Sequence, residues 1–193
     1  MSSAPSGDAP IRVAGLSGSL RSGSFNTALL RAAAELAPAG MVIEFSEIAD
    51  IPPYNDDVRL EGFPDPVARL RAELTDADAI LIASPEYNRS VPGVLKNAID
   101  WASRGPDQPF AGKPMAFMGV SRGALGAAFA NHHLRQIFVF LDALMVNGPE
   151  VMVGAGAQKF DEGGRLVDES TRDFVAAHLE KLAKLVRNTR AAA

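Results

Sequence analysis

The stretch GLSGSLRSGSFN, residues 15–26, decides how the rest of the chain is read. It follows the apolar run 11–16 and leads into 27–36, where leucines and alanines recur at helical spacing, so strand, loop and helix succeed one another. Ser17, Ser19, Ser22, Ser24 and Thr27 offer hydroxyls, Asn26 an amide and Arg21 a guanidinium fork. Gly15, Gly18 and Gly23 let the backbone bend so that its amides converge near a helix N-terminus. Such a loop suits a phosphate neutralised mainly by dipoles, with no metal required. No Gly-Lys-Ser/Thr triplet occurs, which excludes a Walker loop, and the glycine spacing does not match the dinucleotide GxGxxG pattern.

With 193 residues, 47% of them hydrophobic and 22% charged, the chain suits one well-buried domain. That domain is expected at 11–188, between a disordered segment at 1–10 and a frayed tail at 189–193. A net charge of -4 gives no reason to expect nucleic acid or membrane as a partner. Cysteine is absent, which removes disulfides, thiolate nucleophiles and Cys-based metal sites together. Redox chemistry would therefore need a bound cofactor. The opening MSSAPSGDAP lacks the basic and apolar regions of a signal peptide, and no apolar run approaches the ~20 residues of a membrane span. The expectation is a cytoplasmic protein.

Along the chain, short apolar runs alternate with helical patterns. Strands are expected at 11–16, 41–45, 77–83 and 113–120, and a last one over 144–153 broken at Asn147-Gly148-Pro149. Helices are expected at 25–36, around Val67, Leu70 and Leu74 with Arg69, Arg71 and Glu73 facing water, at 94–102, through His132 to Leu141, and at 170–188. Residues 47–66 read as a loop, 154–164 as a mobile loop. The run ADAILIA at 77–83 has too few polar positions for a half-exposed strand and belongs at the centre of a doubly covered sheet. This alternation argues for an α/β fold, a parallel sheet of about five strands with helices on both faces. In such folds ligands bind beyond the carboxyl ends of the strands. The loops 15–26, 84–90 and 121–126 all fall at that edge, and Pro85 and Pro92 stiffen the second.

The combination GSLRSGSFN at 18–26, SPEYNRSVPGVLKNAIDW at 84–101 and HLRQIFVFLDALMV at 133–146 resembles the NADPH-dependent FMN reductase family, in its quinone and chromate reductase branch. The resemblance implies a flavodoxin-like, doubly wound sheet of order 2-1-3-4-5, bound FMN, NADPH or NADH as electron donor, a small-molecule acceptor, and a homodimer or homotetramer. It implies that Ser17, Ser19, Leu20, Arg21, Ser24, Phe25 and Asn26 contact the cofactor in the first loop, chiefly its phosphate. Pro85, Glu86, Tyr87 and Asn88 would line the isoalloxazine, and Ser121, Arg122 and Gly123 would meet its far edge or the ribityl chain. Tyr87, Asn88 and Arg89 would face substrate. Arg89 departs from the aromatic, histidine or small residue common after PEYN. The turn 121–123 is not a copy of the family's usual hydroxyl-rich turn.

Since a flavin accepts hydride without a protein acid or base, no catalytic side chain is expected; positioning by backbone amides of 86–88 carries the task. Ping-pong kinetics would follow if nicotinamide and acceptor stack in turn on Tyr87 and Asn88. The alternatives are a flavin reductase that releases reduced FMN to a monooxygenase, and a flavodoxin-like electron carrier, against which the modest net charge counts. His132 and His133 are adjacent, so they lack the i, i+4 spacing of a metal pair, and no metal is expected. His178 is expected to be structural. Asp56, Asp57, Asp76 and Asp78 are taken as solvated charges. Tyr54, Phe63, Leu95, Trp101, Phe138 and Phe140 are open between core and subunit contact.

Overall fold

The computed structural model describes residues 9–192. Strands β1 (Ile11–Ser17), β2 (Met41–Ser46), β3 (Ala79–Ala83) and β4 (Pro114–Val120) pair in parallel in the order β2-β1-β3-β4. The expected fifth strand is present in two pieces, β5 (Leu144–Met145) and β6 (Val151–Val153), both parallel to β4 on its outer edge. Pro149, without an amide proton, lies between them. The sheet is thus flavodoxin-like in order, with helices on both faces.

Every residue of β3 and β4 is buried, as a doubly covered sheet requires. Alternate side chains feed opposite layers. Ala79, Leu81, Ala116 and Met118 pack with α1 (Phe25–Glu35) and α6 (Glu169–Ala192). Ile80, Ile82, Met115 and Phe117 pack with α3 (Asp65–Asp76), α4 (Gly93–Ala102) and α5 (Ala128–Phe140). Trp101 and Leu95 lie within the second layer. Trp101 Nε1 donates to the Pro52 carbonyl at 2.8 Å, and Tyr54 and Phe63 meet its ring edge to face, so these aromatics close the chain's own core. Phe138 is buried against Phe110 and Phe117, whereas Phe140 is 87% exposed.

Three local expectations are corrected. Within 47–66 a short helix, α2 (Asp56–Glu61), forms because Asn55 caps Asp57 N and Asp56 and Asp57 sit in its first turn. Asp56 is solvent-exposed yet paired: it accepts from Arg59 and from the Tyr54 hydroxyl, which hold its carboxyl at about 2. Arg71, expected to face water, is buried; it donates to the carbonyls of Ala102 and Arg104 and lies over the Phe63 ring at 4.4 Å. Finally, α6 does not stop at Asn188 but continues to Ala192. Arg190 secures its end, donating to the carbonyls of Ala9 and Pro10 and pairing with Asp78 at 2.9 Å. Of the segment expected to be disordered, residues 1–8 lie outside the described residues.

His178 on α6 is fully buried, and neither ring nitrogen has a hydrogen-bond partner among the described residues. Burial pushes its pKa down to about 4; the backbones of Pro149 and Phe117 offset part of this, while Arg135 and Lys181 add to the shift. With the folded value below the unfolded one, stability from this group is intact above about pH 6.5 and falls as pH drops towards 4, because the unfolded chain takes up the proton first. Relative to His178→Leu, the wild type should lose about 3 kcal/mol of unfolding free energy between pH 7 and 4. Denaturant melts across that range check this, and parallel curves for the two proteins would refute it.

Candidate active site

The first loop leaves β1 at Ser17, whose Oγ shares a 2.7 Å hydrogen bond with Thr27 Oγ1 across the loop. Ser24 caps α1, accepting from Asn26 N at 3.2 Å and Thr27 N at 3.4 Å. Arg21 folds its guanidinium back onto the Gly23 carbonyl, and Leu20 is half exposed. The amides of Leu20, Ser22, Gly23 and Phe25 have no acceptor among the described residues. Unpaired N-H groups clustered before a helix N-terminus are a donor set that suits a phosphate.

The second loop begins against the first. Gly18 N donates to the Ala83 carbonyl at 2.8 Å, and a Cβ on Gly18 would stand 3.0–3.2 Å from Leu95, Ser84 Oγ and Pro85 Cδ. A side chain at this position would push these neighbours back by a few tenths of an ångström. Beyond Pro85, Tyr87 and Ser90 exchange both backbone hydrogen bonds at 3.0 Å around a two-residue turn. Its central residues, Asn88 (φ 51°) and Arg89 (φ 64°), both lie in the left-handed region, the signature of a type I′ turn. Asn tolerates this conformation, whereas Arg pays about 1 kcal/mol.

Helix α5 holds that turn in place. Glu86 Oε2 accepts from Phe129 N at 2.8 Å and Ala130 N at 3.4 Å, capping the helix start. The Arg89 guanidinium lies 4.7 Å over the Phe129 ring. Ser90 Oγ and His133 Nδ1 are 2.9 Å apart. The amides of Glu86 and Asn88 have no internal acceptor among the described residues, while that of Tyr87 is committed to Ser90. The Tyr87 side chain is half exposed.

The third loop, after β4, is tied to both others. At Val120, β4 reaches beyond β3, whose ladder with it ends at Ala83 and Met118, so the Val120 backbone lacks a strand partner on that side. The side chain of Asn26 takes the vacant place: Oδ1 accepts from Val120 N and Nδ2 donates to Val120 O, both at 3.0 Å. Ser121 N bonds to Val153 and its Oγ donates to the Gly123 carbonyl at 3.1 Å. Arg122 lies 5.7 Å over Phe25, which stacks at 5.3 Å on Phe160. The roots of the loops after β1, β3 and β4 therefore meet at one rim.

A family model described as NADPH-dependent FMN reductase matches residues 11–158. The chain belongs to that family. Among curated relatives, the NAD(P)H-dependent FMN reductase of Pseudomonas aeruginosa is 53% identical over 180 residues, covering 93% of this chain and 97% of that protein. The quinone reductase of Escherichia coli K12 is 45% identical over 183 residues, covering 93% and 97%. Among solved structures, the flavoenzyme NAD(P)H:acceptor oxidoreductase of Paracoccus denitrificans is similar with a TM-score of 0.85 and 35% identity, over 93% of this chain and 98% of that one. As a member of the NADPH-dependent FMN reductase family, the chain is an oxidoreductase that works with FMN and a reduced pyridine nucleotide.

Within this family frame, the chain separates residues free to meet a ligand from residues already engaged. Asn26 and Glu86, both expected at the cofactor, have their side chains committed to Val120 and to α5, and so position the loops. The Ser24 Oγ accepts as the helix cap, which leaves its hydroxyl proton to donate. Sequence reading missed α5 as the support of the second loop. The partners Glu86 and Phe129 are 43 residues apart and no spacing rule links them. Asn26→Ala should cost about 2–3 kcal/mol, because it strands the amide and carbonyl of Val120 in a buried site. Chemical denaturation checks this, and a loss below about 1 kcal/mol would show that water replaces the clasp.

Proposed function

We propose that the chain is an NAD(P)H-dependent quinone oxidoreductase with retained FMN, working by a ping-pong route, with free flavins, chromate and azo compounds as further acceptors. Bound FMN supplies the hydride-accepting and electron-releasing chemistry. The carrying observation is the set of unpaired amides on two adjoining loops, Leu20, Ser22, Gly23 and Phe25 on the first, Glu86 and Asn88 on the second. In this reading the first group holds the cofactor phosphate together with Ser17, Ser19, Ser24 and Arg21. The second faces the pyrimidine side of the ring, where fixed dipoles stabilise negative charge without reorganising. Pro85 stiffens that loop, Tyr87 and Asn88 form the wall against which donor and acceptor lie in turn, and Arg89 flanks it. Ser121, Arg122 and Gly123 border the far rim.

The name of the Escherichia coli relative supports quinones as the acceptor class. Residues 11–188 act as a single FMN-binding domain in this reading, in the cytoplasm and as a homodimer or homotetramer. The exposed apolar side chains of Val139 and Phe140 at the end of α5 support self-association. Among the described residues no helix is long and apolar enough to cross a membrane.

The purified protein should retain FMN through gel filtration, be bleached by NADPH without oxygen, and regain its colour on addition of benzoquinone. Initial rates at varied NADPH and quinone should give parallel double-reciprocal lines. Intersecting lines would overturn the ping-pong route, loss of FMN on the column would favour the flavin-releasing reductase, and a flavin that NADPH leaves oxidised would point to an electron carrier.

A further inference from the structure

A cleft of about 440 Å³ opens on the β2 side of the phosphate loop, away from the second and third loops. None of residues 85–88 or 121–123 lines it. One wall is the phosphate loop with the outer face of α1; the other is the segment 45–49 after β2. Its chemistry is mixed in a specific way. Leu20 and Phe45 present half-exposed apolar surfaces, and Arg21 and Arg31 supply two positive charges. Arg31, one helical turn beyond Thr27, has no carboxylate within ion-pairing distance among the described residues. The one carboxylate in the lining, Glu47, turns one oxygen back onto its own chain, Oε1 accepting from Ile48 N and Ala49 N at 2.9 Å each.

We propose that this cleft receives the adenosine 2′-phosphate end of NADPH, with Arg31 as the residue that recognises the 2′-phosphate. The proposal rests on the reading of the chain as an NAD(P)H oxidoreductase and adds which of the two nucleotides it prefers and why. A reader of the unphosphorylated ribose needs a carboxylate free to accept from the 2′-hydroxyl, and a reader of the 2′-phosphate needs a guanidinium. Here the carboxylate has one oxygen held by its own backbone amides, and the guanidinium is unpaired. Phe45 and Leu20 offer flat apolar surface to a purine. The Ser46 hydroxyl, also in the lining, adds a neutral donor. The cleft and the flavin rim share the phosphate loop as a common wall, so the two ends of one dinucleotide are served from its two sides.

The test titrates the FMN-loaded protein with adenosine 2′,5′-bisphosphate and with adenosine 5′-phosphate, both redox-inert, by calorimetry. The wild type should bind the bisphosphate about tenfold or more tightly than the monophosphate. Arg31→Ala should remove that preference and raise the KM for NADPH about tenfold more than the KM for NADH, with FMN affinity unchanged. Arg31 is exposed on a helix where alanine is a good former, so the variant folds. Equal binding of both nucleotides by the wild type, or a preference that survives Arg31→Ala, would overturn the proposal. Weakened FMN in place of weakened bisphosphate would overturn it too, assigning the cleft to the flavin phosphate. In those cases both nucleotides still bleach the flavin and the oxidoreductase reading stands. A protein that neither NADPH nor NADH reduces fails at the earlier step, and both readings fall together.

Discussion

The site depends on a pair of hydrogen bonds between one side-chain amide and one backbone residue, Asn26 and Val120. A parallel sheet fixes where its strands end but leaves the connecting loops to find their own arrangement. Because β4 outruns β3, a buried amide and carbonyl at its end need partners, and unpaired they would cost a few kcal/mol. Asn26 supplies both with the geometry of a missing strand residue. The start of α1, and with it the phosphate loop, is thereby held at a set distance from the loop after β4. Aspartate could not do this, since it has no donor for the Val120 carbonyl.

The second loop obeys a different constraint. A type I′ turn with arginine at its second central position is strained, and its persistence requires contacts outside the turn. Helix α5 provides three, at Phe129 and Ala130 for Glu86, at the Phe129 ring for Arg89, and at His133 for Ser90. The first of these uses the positive end of the helix dipole, so the same carboxylate stabilises the helix and fixes the turn.

Much of this is legible in the chain, for identifiable reasons. The apolar runs of β3 and β4 have no exposed face and therefore no polar alternation, a pattern that by itself marks a central parallel strand. The hydroxyl and glycine content of 15–26 marks a bent loop with a capped helix start, because local chemistry decides it. Contacts between distant residues leave no such mark. The clasp of Asn26 on Val120, 94 residues away, is not legible, and Arg71 reads as solvated because its acceptors are carbonyls at the end of another helix. The helix α2 is hidden within a stretch whose Pro, Asp and Asn content suits turns, although Asn55 followed by two acidic residues is a helix start. The extension of α6 past Asn188 leaves no mark in an alanine-rich tail, and a single arginine, Arg190, ties it down.

That arginine also sets the polarity of the whole molecule. By holding the last turn of α6 to Ala9, Pro10 and Asp78, it gathers both ends of the described chain at the pole where the strands begin. The rim that gathers the three loops is at the opposite pole. An anchor fused at either end, whether a bead, an electrode linker or a second protein, would therefore grip the molecule from behind and leave the three-loop rim turned outward.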